Sequence, residues 1–256
     1  MNNISGTGIF EAGLHKKKRM RKRIFFAAVL FSVVLNVLAQ EDSGWQIDFR
    51  TDVYSRHLWR GDRLGDAPAI EPEISLSKDK FGFTIWGATT FDNSYEELDL
   101  ILNYQVLPSL NLVLYDYYNP VSGEENNFWN YSAEKLRHTI DLTGEFEKEG
   151  FPLTVLASVF LYGDKDRVDG KEQFSTYIEP GFHFYLAGKD FNVFAGFTPF
   201  KGYYADNFAF VNLGFAFNDS FQVGEKLEIP LEIKFCTNPY TNNTWFVVGI
   251  GIKNRE

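Results

Sequence analysis

From Trp45 onward the chain alternates apolar and polar residues with a period of two. Trp45, Ile47, Phe49, Thr51 and Val53 fall on one face, and Gln46, Asp48, Arg50 and Asp52 on the other. Ile70, Pro72, Ile74 and Leu76 likewise oppose Glu71, Glu73, Ser75 and Ser77, and Leu98, Leu100, Leu102 and Tyr104 oppose Glu97, Asp99, Ile101 and Asn103. Ile140, Leu142, Gly144 and Phe146 stand against Thr139, Asp141, Thr143 and Glu145, and Ile229, Leu231, Ile233 and Phe235 against Pro230, Glu232, Lys234 and Cys236. This period marks strands with two unlike faces. No stretch after residue 39 carries a convincing 3.6-residue apolar period.

With less regular segments included, the pattern predicts about twelve strands: 45–60, 69–78, 81–91, 95–106, 110–119, 136–147, 152–163, 173–186, 190–199, 207–218, 226–237 and 243–253. The connections after strands 2, 4, 6 and 8 are tight, and the one after strand 10, Asp219 to Glu225, is somewhat longer. Those after strands 1, 5, 7 and 9 are long and polar, with 120–135 the longest, and those after strands 3 and 11 are shorter. An even strand count with short turns at one end and longer loops at the other is the pattern of an outer-membrane barrel. About ten residues at roughly 3.3 Å each, tilted by about 40°, also span close to 25 Å, the height of a lipid-facing band. The predicted fold class is all-β, a closed antiparallel up-and-down transmembrane barrel. Aromatics near strand ends (Trp45, Trp59, Phe81, Phe91, Phe151, Phe191, Phe217 and Trp245) would form its two girdles.

The polarity of the faces decides between two kinds of barrel. Charged residues inside and apolar ones outside suit a wet lumen in a membrane, whereas a secreted soluble barrel binding an apolar ligand needs the reverse. In that soluble alternative, apolar faces from nearly every strand would crowd one interior in a chain that is 17% aromatic.

The N-terminus reads as a signal peptide. A block of seven Lys and Arg between residues 16 and 23 precedes the apolar run Ile24 to Ala39, so 1–39 form the export signal and 40–256 the barrel. Met20 alone would open a signal of ordinary proportions and is an alternative start. Removing 1–39 takes seven of 25 basic residues and one of 34 acidic ones, leaving a mature charge near −15. That balance gives a nucleic-acid partner no electrostatic support. The single cysteine, Cys236, excludes a disulfide scaffold.

Chemistry along the chain is sparse. His57, His138 and His183 lack metal-ligand spacing and no serine motif accompanies them, so the reading includes no catalytic residue, metal or cofactor. Asp164, Asp166 and Asp169 fit a solvated acidic loop better than a calcium loop, because Val168 stands at a ligand position. Arg60-Gly61-Asp62 is explained by a strand-to-turn transition. The polar faces are more informative together: Asp48, Arg50, Asp52, Arg56, Glu71, Glu73, Glu97, Asp99, Asp141, Glu145, Glu179, His183, Glu232 and Lys234 would line the lumen. His183 could join Glu179 and Tyr177 in a hydrogen-bonded cluster there. Acids outnumber bases ten to four on these faces with Arg60 counted, so the first strand's arginines could pair with glutamates of the second.

Thr51-Asp52-Val53-Tyr54, then Leu58-Trp59-Arg60-Gly61 and Pro68-Ala69-Ile70-Glu71, resemble the opening of the TorF-like family of outer-membrane porins. Phe81-Gly82-Phe83, Trp86-Gly87, Glu97-Leu98-Asp99-Leu100, Tyr177-Ile178-Glu179 and Phe194-Ala195-Gly196-Phe197-Thr198-Pro199 continue the likeness over most of the mature chain. Glu71 stands where that family often has Gln, and the chain closes on Ile252 to Glu256 without a terminal aromatic. The resemblance implies a bacterial outer-membrane barrel with a transport role. The expected function is a porin passing small solutes with a preference for cations, its partners being outer-membrane lipid, small solutes or cations, and the barrel-insertion machinery. A closed structural or adhesive barrel is the alternative.

Overall fold

A computed structural model describes residues 44–121, 123–132, 137–166 and 169–254. The expected signal peptide, Val168 and the last two residues lie outside them. The chain divides into two compact units, Met1–Ile47 and Asp48–Glu256, and the barrel is that of the second. In chain order the strands are β1 (Gln46–Tyr54), β2 (His57–Trp59), β3 (Asp62–Leu64), β4 (Ala69–Lys78), β5 (Phe81–Thr90), β6 (Glu96–Leu107) and β7 (Leu110–Tyr118). There follow β8 (His138–Phe146), β9 (Leu153–Tyr162), β10 (Thr176–Leu186), β11 (Lys189–Thr198), β12 (Ala209–Val223), β13 (Leu227–Asn238) and β14 (Asn243–Asn254). Twelve of them close an antiparallel barrel in sequence order, β4 through β14 and back to β1, while β2 and β3 form a separate two-stranded sheet.

The period-two pattern fixes the register. Leu102 pairs with Leu114 and Leu114 with Leu142; on the far side Phe215 pairs with Phe235 and Phe235 with Phe246. These apolar rows face outward, leaving Leu102 53%, Phe215 48% and Phe246 64% exposed. The intervening positions face inward, where Asp52, Glu71, Asp99 and Asp141 are buried together with Thr143, Ser158 and Asn212. An aqueous fold buries apolar side chains and exposes charge; this barrel does the opposite. Tight turns close one end. Ala187 and Gly188, for example, both have positive φ, 53° and 74°, the conformation of a two-residue type I′ hairpin.

Four expectations need correction. The first predicted strand, 45–60, ends at Tyr54, because Ser55 caps the last rung: its amide donates to the Val248 carbonyl at 2.8 Å, and its Oγ accepts from the Val248 amide at 3.0 Å. The chain then turns inward, and what resembled strand continuation is the β2–β3 hairpin. β12 runs on to Val223, since Asp219 to Val223 stay paired with Leu231 to Leu227, leaving a short turn where a longer connection was expected. Trp59 and Trp245 are not girdle residues. Trp59 stacks on Phe160 and Tyr204 inside the barrel, and Trp245 packs on the cluster of Phe194, Ala216 and Cys236.

Candidate functional site: a hairpin across the lumen

The β2–β3 hairpin is built by its own sequence. Trp59 pairs with Asp62 around the two-residue loop Arg60-Gly61, whose φ values are 48° and 87°. Two consecutive positive φ values define a type I′ turn. The second position also needs glycine for space, because a Cβ on Gly61 would lie 2.0 Å from the Val211 carbonyl oxygen of β12. The tip therefore rests against β12, three strands round the barrel from β1.

Contacts along the hairpin reach most of the barrel. His57 Nδ1 meets Glu71 Oε1 at 2.8 Å and its Nε2 lies 3.8 Å from Glu97 Oε2, while its ring stacks on Tyr95. Arg60 donates through Nη2 to Asp141 Oδ2 at 2.8 Å and through Nη1 to the Tyr204 hydroxyl at 2.5 Å. Its guanidinium also lies 4.7 Å from the Trp59 ring centroid and 5.0 Å from that of Tyr177. Asp62 accepts from Asn238 Nδ2 at 3.0 Å, and Arg63 covers Trp245 at 5.2 Å. Asp141 is fully buried and Arg60 nearly so, which makes theirs an ion pair whose halves depend on each other.

The hairpin separates two spaces. Toward the long loops lies a cavity of about 780 Å³ bordered by Trp59, Tyr95, Tyr117, Tyr203, Asp164 and Lys201. At its lip Lys201 donates to Asp166 at 2.7 Å, and that bond holds the ammonium above the usual lysine range. Toward the turns, a chamber of about 200 Å³ is bordered by Arg60, Glu179, Asn192, Asn212, Glu232 and Lys234. Beyond it a wider cavity of about 730 Å³ takes in Glu145, His183 and Asp190.

Of the residues predicted to line the lumen, Glu71 and Glu97 come together on His57, and Asp141 meets Arg60. Asp99 is buried beside them, with an Oδ1 that has no hydrogen-bond partner among the described residues. Glu179, Glu232 and Lys234 share the small chamber; Glu179 accepts from the Tyr177 hydroxyl and from Asn212 Nδ2, and Lys234 reaches Glu232 at 2.6 Å. Glu73 accepts from Ser75 Oγ at 3.1 Å, and Glu145 from the Tyr115 hydroxyl at 3.5 Å. Asp48 lies apart, bonded to Asn254 at 2.9 Å.

Two expected pairings differ. Arg50 pairs with Asp52 on its own strand at 2.5 Å and Arg56 donates to the Ser55 carbonyl at 2.7 Å, so the second strand's Glu71 goes to a histidine of the hairpin instead of an arginine. His183 does not join Tyr177 and Glu179; it lies nearer the turns, 3.6 Å from Asp190. His57, Tyr204 and Asn212 were missed as site residues. The Arg60-Gly61 pair was the sequence signal that could have found the hairpin, and with it His57. Tyr204 and Asn212 carried no such mark.

Closed-barrel architecture, polar interior and inward hairpin together define the class: a barrel with a constricted, charge-lined lumen. No protein-family model matches the chain, and no curated protein sequence matches it. Among solved structures the chain is similar to a KdgM porin, with a TM-score of 0.45 and 9% identity over 82% of this chain and 98% of the porin. It is also similar to an outer membrane channel from Pseudomonas putida F1, with a TM-score of 0.42 and 12% identity over 81% of this chain and 94% of the channel. For the outer membrane channel DcaP of Acinetobacter baumannii the TM-score is 0.34 at 10% identity, covering 84% and 98%.

Proposed function

We propose that this protein is a bacterial outer-membrane barrel, exported by residues 1–39, that passes small solutes with a preference for cations through a lumen narrowed by the β2–β3 hairpin. One observation carries the reading: apolar side chains cover the outside of a closed barrel while carboxylates are buried inside it. Lipid on the outside and water on the inside are the solvents that make this arrangement favourable. The resemblance to TorF-like porins supports the same reading, and outer-membrane lipid and the barrel-insertion machinery are the partners it brings. The work assigned to the barrel is passage, without catalysis.

The cation preference rests on the inner charge balance. Glu71, Glu97, Asp99, Glu179 and Glu232 stand against Lys234 and His57, beside the neutralised Arg60–Asp141 and Arg50–Asp52 pairs. Carboxylates in a confined passage concentrate cations, an effect that screening weakens as salt rises. A second reading, a closed structural barrel, draws support from the number of contacts tying the hairpin across the bore. Reversal potentials across a salt gradient in planar bilayers separate the two. Cation selectivity that falls with rising salt is the expected result; anion preference removes the charge argument, and silence at every voltage favours the closed barrel.

A further inference from the structure

On the outside of the barrel, the connection between β7 and β8 is fixed by a histidine whose two ring nitrogens both face acceptors. Tyr118 lies opposite His138 and Asp116 opposite Ile140, so Asp116, Tyr118 and His138 share the outward rows of β7 and β8. His138, 1% exposed, has Asp116 Oδ1 at 2.7 Å from its Nδ1 and the Phe128 carbonyl oxygen at 2.6 Å from its Nε2. Tyr131 donates its hydroxyl to the other Asp116 oxygen at 2.5 Å and stacks its ring on the imidazole at 3.8 Å. The Tyr131 carbonyl accepts from the Tyr162 hydroxyl of β9 at 2.5 Å, and the Tyr118 hydroxyl donates to Asn126 at 2.8 Å. Two further charged groups bear on this cluster: Arg137, paired with Glu124, and Asp99, which feels the Asp116 charge from the inward row of β6.

A backbone carbonyl never donates, and an ionised carboxylate only accepts. Closing both contacts therefore takes a proton on each ring nitrogen, with a charge-assisted bond to Asp116. A neutral ring has one N–H, and whichever nitrogen keeps it, the other turns a lone pair toward an oxygen 2.6 or 2.7 Å away. A proton resting on Asp116 instead would close the same bond and leave in the same direction. We infer that this connection is a pH-sensitive latch, seated while His138 and Asp116 hold the second proton between them and released as rising pH removes it. Because the seated connection binds the protonated form, seating is complete on the acid side and is lost toward alkali. Tyr131 takes no part in the change: burial, and then its bond to Asp116, push its hydroxyl up to about 12, so it remains a donor where histidines titrate. The latch lies outside the bore and does not depend on conduction. Only its trigger rests on the proposed function, since the long-loop end of an outer-membrane barrel meets the external medium.

Proteinase K digestion of the folded barrel, followed at residues 123–132 and normalised to the free peptide of that sequence, reads seating between about pH 5 and 9. Normalised cleavage in the wild type should rise about tenfold or more across that range, since proteolysis tracks the open population. His138→Gln should be cut fast and equally at both ends of the range. Asp116→Asn should be cut slowly and equally at both ends, because a carboxamide can donate to the bare nitrogen of a neutral ring and accept from a charged one. A merely structural contact would leave the wild-type pH profile in place in Asp116→Asn. Wild-type cleavage that does not change with pH, or a wild-type profile that survives in either variant, overturns the latch. None of these readings involves conductance, so the latch and the channel stand or fall separately.

Discussion

Two long connections leave the same end of the barrel and go opposite ways. Residues 55–68 fold into the lumen as the β2–β3 hairpin. The described part of the connection between β7 and β8, including 123–132, folds over the outer wall instead. There His138 lies between Asp116, 2.7 Å from its Nδ1, and the Phe128 carbonyl, 2.6 Å from its Nε2, with the Tyr131 ring stacked on it at 3.8 Å. Each connection is thus tied down by a buried histidine on a carboxylate and by an arginine, Arg60 on Asp141 inside and Arg137 on Glu124 outside. The difference lies in strand parity. Asp141 is on the inward row of β8, whereas Asp116 and His138 share the rows of Leu114 and Ile140, which face outward. A polar pair on the outward face is covered by its own loop, and a polar pair on the inward face instead pins a plug.

The largest effect in this comparison belongs to the inner tie. Arg60→Ala leaves the Asp141 carboxylate buried without its cation, a loss of about 3–5 kcal/mol by the usual scale of broken buried pairs. Urea unfolding of the barrel in lipid measures it, and a loss under about 1 kcal/mol would mean that water already reaches Asp141.

Next comes the contrast between faces. Leu102→Arg places a charge at mid-strand on the outside and should cost roughly 2–4 kcal/mol in a bilayer, while Asp99→Asn, inward on the same strand, should cost clearly less. Equal tolerance in refolding assays would favour a soluble barrel.

The outer tie should matter less. His138→Gln gives up one of two buried hydrogen bonds, about 1–3 kcal/mol. Limited proteolysis within 123–132 should accelerate while conductance stays the same, and a conductance change would mean that this loop also reaches the bore. Smallest is Glu73→Gln, whose carboxylate accepts from Ser75 and has no ion-pair partner within 4 Å among the described residues. Cation selectivity should drop modestly at low salt and converge with the wild type at high salt.

The barrel itself was legible because a period of two over some ten residues is a local signal repeated twelve times. Polarity of the faces was legible for the same reason: Leu98 and Asp99 point apart wherever the strand runs. The hairpin was not, because no Gly or Pro separates Tyr54 from Arg60, and the Arg60-Gly61 pair marks a turn without saying that the chain has left the wall. That departure depends on Val211, Asp141 and Tyr204, all more than 80 residues away. Partners of the inward charges were illegible for a related reason. Parity gives the face a side chain takes, but pairing across a lumen depends on which connection folds into it.

The hairpin's place in the bore is the centre of this account, and unit conductance in planar bilayers tests it most directly when the wild type is compared with a barrel whose residues 57–64 are replaced by a short glycine-serine link. Removing the Arg60 tip and the His57 tether should raise the unit conductance severalfold and weaken discrimination among monovalent cations. Equal conductance in the two barrels, or a larger one in the wild type, would contradict it.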